Sequence, residues 1–188
     1  SSLVTSLAME QMFHAKTKLI DTKIREIWHN ATEVAGIAHV LCKTYTNLKP
    51  DQAALCALVH EIGALPILTF AEKNEELLEN PKFLETLIAK VAPKLGEMIL
   101  NQWSFPKDLI QAPQVMSLVV KSSPNKVSYI DILVAAKMRA LLDTDHPYGN
   151  FPWSEVPAIV KLGIDTSEDG NEIEDLSEDM EAAASFLR

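Results

Sequence analysis

Ala53-Ala54-Leu55-Cys56-Ala57-Leu58-Val59-His60-Glu61-Ile62-Gly63 is the stretch that decides how this chain folds. Its first seven residues are all apolar, so a helix built from them is apolar on nearly every side. Such a helix belongs at the centre of a bundle. Pro50-Asp51 suits a helix start, because proline is tolerated in a first turn. The pattern predicts a helix over residues 51–62 that Gly63 ends or bends. At its end stand a histidine and a carboxylate, side chains that can share one cation if further ligands converge on them.

Working outward, residues 3–28 read as helix, with apolar residues mainly three and four apart and a break near residues 14–18. Asn30 or Thr32 is a candidate boundary, but residues 31–41 carry on the helical pattern, with Val34, Ile37, Ala38 and Leu41 forming an apolar stripe. Downstream, the pattern predicts a short helix over 64–72, a polar stretch over 72–81, and helices over 82–91 and 94–103 separated by Pro93. Further helices are expected over 107–110, 114–121 (framed by Pro113 and Pro124), 129–142, 153–162 and 176–187. The expected inward residues of 129–142 are Ile132, Leu133, Ala136, Ala140 and Leu141. No period-2 strand and no internal repeat stands out. The fold class is all-α, a multi-helix bundle with mostly antiparallel neighbours.

A chain of 188 residues suffices for one sizeable core. No apolar run approaches the roughly 18 residues of a membrane helix, and the start of the chain carries no basic leader of the kind that opens a signal peptide. That start falls mid-pattern, which reads as a piece of a longer protein. Cys42 and Cys56 lie in apolar helical stretches and read as buried thiols of a reducing, cytoplasmic compartment. The net charge of −9 is uneven: residues 163–188 carry nine acidic residues and one arginine, while the rest carries 17 acidic and 16 basic residues. This balance argues against binding a nucleic-acid backbone. The acidic end reads either as a solvated final helix, packed through Leu176, Met180, Ala183, Ala184 and Leu187, or as a partner-contacting tail.

The candidate chemistry centres on His60 and Glu61. The other histidines are His14, His29, His39 and His146, and none forms a second His-Asp or His-Glu pair. His29 and His39 are ten residues apart, too far for one ion to bridge on a straight helix. The pentapeptide from His60 to Ala64 lacks the second histidine of a zincin. Cys56 lies one turn before His60, yet its apolar setting suits a core thiol better than a nucleophile. No glycine-rich phosphate loop is present. Trp28, Trp103 and Trp153 read as anchors over helix junctions, and an exposed one would mark a contact surface.

Several separated stretches, in order, resemble the HDOD family, the HD-related output domain of bacterial signalling proteins. Residues 3–9 are similar to the family's middle-helix pattern. Trp28 followed by Glu33-Val34-Ala35 resembles "W-x-H-S-x-x-V-A", and residues 57–63 resemble "G-L-L-H-D-I-G". Leu95-Gly96 through Trp103-Ser104-Phe105-Pro106 resembles "V-G-x-x-L-x-x-W-x-L-P". The resemblance covers residues 3 to about 165 and implies an HD-like orthogonal helical bundle. It divides the chain into an HDOD-like domain over 1–165, lacking the family's upstream helices, and an acidic helix or tail over 166–188 packed on it.

The departures bear on function. In the related metal-dependent HD phosphohydrolases a first histidine, a His-Asp pair and a later aspartate hold the metal. The resemblance puts Asn30 at the first histidine, with His29 one residue off register. It pairs His60 with Glu61 in place of aspartate, and sets Ala92 where a further histidine often stands. Residues 111–113 lack the histidines that often follow the tryptophan motif. Lys137 falls roughly where the last helix supplies its aspartate. Asn30, His60, Glu61, Ala92 and Lys137 are thus positions of an eroded site, with no metal, cofactor or catalytic residue expected. The reading that follows is a non-catalytic signal-transduction or regulatory domain acting through protein partners or fused signalling modules, with no nucleic-acid or membrane partner. Two alternatives stand beside it. One is a sensor that binds a small molecule or nucleotide in the eroded site, with Lys137 meeting a phosphate. The other is a residual phosphohydrolase using Asn30, His60 and Glu61.

Overall fold

In the computed structural model the described residues are 15–123, 125–167 and 173–188, together with Val4 and Leu7. The stretch resembling the middle-helix motif, His14, Pro124 and residues 168–172 of the acidic segment otherwise lie outside them. The described residues contain no strand. The α-helices are α1 (Lys18–Tyr45), α2 (Pro50–Leu58), α3 (Ala64–Ala71), α4 (Glu75–Glu79), α5 (Pro81–Gln102), α6 (Val115–Leu118), α7 (Tyr129–Leu141), α8 (Pro157–Leu162) and α9 (Ser177–Leu187).

The long helix α1 organises the bundle. Its 28 residues rise about 42 Å at ~1.5 Å each, and α2, α7 and α9 pack along it. Ile20, Ile24, Ala31, Val34, Ala35, Ala38 and Leu41 form the buried stripe that holds them. The candidate boundary at Asn30 or Thr32 is absent, and the helical pattern over 31–41 continues the same helix. Thr32 is buried, and its hydroxyl donates to the His29 carbonyl within the same helix. Its polarity is therefore satisfied without ending the helix. The break expected near residues 14–18 does coincide with the start of α1. There the Glu72 carboxylate, at the end of α3, accepts from the backbone N–H groups of Lys16 and Thr17. Those bonds hold the Glu72 carboxyl below the usual carboxylate range.

The apolar helix α2 is central as expected, with Ala53, Ala54, Cys56, Ala57 and Leu58 buried. It stops at Leu58 rather than Ile62. The polar stretch over 72–81 holds a helix that periodicity missed: the Asn74 side chain accepts from the Leu77 N–H, and Glu75 and Glu76 lie in the first turn, where the helix dipole favours them. Pro93 does not separate two helices. One helix, α5, runs through it from Pro81 to Gln102. A mid-helix proline frees the carbonyl four residues earlier; here that residue is Ala89, which is exposed, a setting in which solvent can offset the lost bond. Residues 107–110 form turns rather than a helix, and the helices expected over 114–121 and 153–162 shrink to α6 and α8. Within α7, Ile132, Leu133 and Ala136 are buried as expected, while Ala140 and Leu141 are only half-buried.

Two close approaches lock the bundle. A Cβ on Gly36 would stand 2.6 Å from the Met180 carbonyl oxygen, so α9 crosses α1 nearly backbone to backbone. Met180, Ala184 and Leu187 of α9 are buried in that contact. A Cβ on Gly63 would stand 2.0 Å from the Ala92 carbonyl oxygen and 2.6 Å from the Gly96 nitrogen. Rigid backbone surrounds this position, and small-to-large changes in packed sites cost about 1–3 kcal/mol. Gly63→Ala is expected to lie at or above the top of that range, read as a lowered urea midpoint with an unchanged slope.

Candidate functional site

Between α2 and α3 the chain makes a tight turn over Val59–Gly63 rather than a continued helix. The His60 N–H donates to the Ala57 carbonyl at 3.3 Å and the Ala64 N–H to the Glu61 carbonyl at 3.0 Å. The turn directs the His60 ring inward, where the residue is 4% exposed. Its Nδ1 lies against the Ala57 carbonyl oxygen. A carbonyl only accepts, so Nδ1 carries the proton and Nε2 presents a lone pair.

That lone pair faces Lys137 of α7. The ammonium Nζ lies 3.1 Å from His60 Nε2 and 3.5 Å from Glu61 Oε1, while Nε2 and Oε1 are 3.9 Å apart. The three groups form a compact triangle with the ammonium as donor to both others. Burial, and then the neighbouring Lys137 charge, push the His60 pKa down to about 4 against the opposing pull of Glu61. The imidazole is therefore neutral at physiological pH. Glu61 is half-buried, and its second oxygen, Oε2, is buried without a hydrogen-bond partner.

A cavity of about 490 Å³ opens beside this triangle, and Asn30, His60, Glu61, Ala92 and Lys137 all line it. The five positions singled out in the sequence thus meet in one place. Asn30 rather than His29 lines the cavity, and Pro113 reaches it from the segment after α5. Sequence reasoning missed Lys23, Glu26, Glu85, Met116 and His146, which also line it. The four-residue spacing of Glu26 and Asn30 was a usable signal, since such residues share a helix face. For His146 there was none, because only the loop after α7 carries it to the rim.

The donor chemistry does not fit a divalent cation. Among the described residues no three His, Cys, Asp or Glu side chains gather as metal ligands. The one inward imidazole lone pair already accepts from an ammonium. Cys56, one turn before His60, is fully buried, and burial pushes its thiol far up, which removes the thiolate a nucleophile needs. His29 is exposed, and His39 lies 3.7 Å from Asp51 on a different helix pair.

The model of the HDOD domain matches residues 1–116, more than half of the chain. The chain belongs to the HDOD family. A solved structure from Shewanella amazonensis SB2B, whose name assigns it provisionally to the metal-dependent phosphohydrolases, matches with a TM-score of 0.79 and 25% identity. The match covers 100% of this chain and 68% of that one, and the fold is accordingly HD-domain-like. No curated protein matches the sequence. Helices α7, α8 and α9 lie beyond the matched HDOD segment, so Lys137 reaches the HDOD cavity from outside it.

The neutral imidazole has a consequence for stability. A buried histidine whose folded pKa is about 4 against an ordinary 6.5 binds its proton more readily when unfolded. Its contribution is fully present above about pH 6.5 and declines as pH falls toward about 4, by roughly 3 kcal/mol in all. His60→Gln is expected to flatten that part of the stability-against-pH curve, measured by urea unfolding between those limits.

Proposed function

We propose that this HDOD chain is a non-catalytic regulatory domain of a bacterial, cytoplasmic signalling protein, and that it acts through protein contacts. The observation that carries the reading is the Lys137 ammonium 3.1 Å from His60 Nε2 and 3.5 Å from Glu61 Oε1. A fixed positive charge there repels a second cation and uses the lone pair a metal would need. Hydrolysis of a phosphoester by an HD-type site depends on a metal to polarise the substrate and activate water, and no other set of side chains in the cavity supplies that chemistry. Surface character supports a contact role. Met98 and Trp103 are 58% and 44% exposed and lie in one apolar groove with Ile62, Pro66, Leu95 and Ile99. Among the described residues no helix is long and apolar enough to cross a membrane.

The name of the Shewanella relative favours the competing reading, a metal-dependent phosphohydrolase. Metal analysis of the purified chain and assays on phosphoesters and nucleotides separate the two. The regulatory reading expects less than stoichiometric metal and no turnover. A tightly held stoichiometric metal, with turnover lost in His60→Ala, would overturn it. Lys137→Asp is a further check: it removes the ammonium and adds a third donor, so added Mn²⁺ is expected to raise the melting temperature of the variant and leave that of the native chain unmoved.

A further inference from the structure

The cavity beside His60 keeps a charge that its own residues do not neutralise. Its lining holds two lysines and three glutamates, Lys23, Lys137, Glu26, Glu61 and Glu85. Lys23 Nζ lies 3.1 Å from Glu85 and Lys137 Nζ lies 3.5 Å from Glu61, so each lysine is matched by a carboxylate. Glu26 is not matched. It is exposed at the rim, one turn before Asn30 on the same face of α1. Deeper in, Glu61 Oε2 is an acceptor without a donor. At the exposed His146, desolvation and then Lys137 disfavour the charged form. The remaining walls are mainly apolar, including Ile27, Leu68, Ile88, Val115 and Met116. A volume of about 490 Å³ falls in the range of small-molecule sites.

We infer that this cavity binds a small, mostly apolar molecule bearing an amine, with its ammonium at Glu26 and its body against the apolar wall. Phosphoesters are disfavoured, because a phosphate would meet a net negative lining whose two lysines are already engaged. The inference rests on the non-catalytic reading in one respect only, that Lys137 stays bound to its two partners rather than yielding to a metal. Glu26 and the apolar wall stand apart from that question.

Phenethylamine and phenyl phosphate are matched probes, and the Met116 methyl resonance of the intact chain reports occupancy. Phenethylamine is expected to shift that methyl saturably in the millimolar range, while phenyl phosphate leaves it unmoved. Glu26→Gln, a change at an exposed rim position, is expected to weaken phenethylamine about two- to fivefold, the size of a solvent-exposed ion pair. Saturation by phenyl phosphate at equal or lower concentration would overturn the inference. So would an unchanged affinity in Glu26→Gln, or a Met116 methyl that phenethylamine does not saturate. Stoichiometric metal with turnover would remove the regulatory reading by itself, and the methyl titration is read independently of it.

Discussion

An ammonium group can rest against a buried imidazole only where that imidazole is neutral and turns a lone pair toward it. Much of this site follows from that constraint. The Ala57 carbonyl accepts from the protonated Nδ1 of His60, leaving a lone pair on Nε2, and Lys137 then supplies the donor. Glu61, on the same turn, balances the charge. An unpaired lysine at 11% side-chain exposure would be costly, and an unpaired inward carboxylate would be costly too. Each member makes the other two tolerable, so the triangle is conditional on all three.

The triangle forms because backbone, not side chains, sets where α2 ends. Gly63 lets α5 approach until its carbonyls and amides touch the turn, and the same helix contributes Ala92 to the cavity wall. A continued α2 would carry His60 and Glu61 onward along the helix instead of turning them toward α7. Helix α1 contributes Glu26 and Asn30 to the cavity, and α9 clamps α1 at Gly36. The site therefore draws on elements from both halves of the chain, including helices beyond the segment that identifies the family.

How legible this was depends on the range of the forces involved. The apolar run over 53–59 and the stripes of α1 and α7 report burial directly, since side-chain polarity and helical period are local properties. Pro93 misled for the opposite reason. A proline inside a helix loses one hydrogen bond and crowds the carbonyl four residues back, and whether packing and solvent offset that cost at the exposed Ala89 was a matter of tertiary placement. Asn74 as a helix cap was local, yet the glutamates around it read as mere polarity. At the site, residue positions could be named from the family pattern, but Lys137 contacts His60 across 77 residues of chain.

The sequence by itself determined the helical class, the central place of α2 and which residue types were available to the site, because these depend on composition and short-range periodicity. The tertiary structure alone decided that the Lys137 ammonium would stand within reach of both His60 and Glu61, and that Glu26 would be left over at the rim. Charge pairing depends on distances of a few ångströms between segments far apart in the chain, and no local pattern encodes such distances.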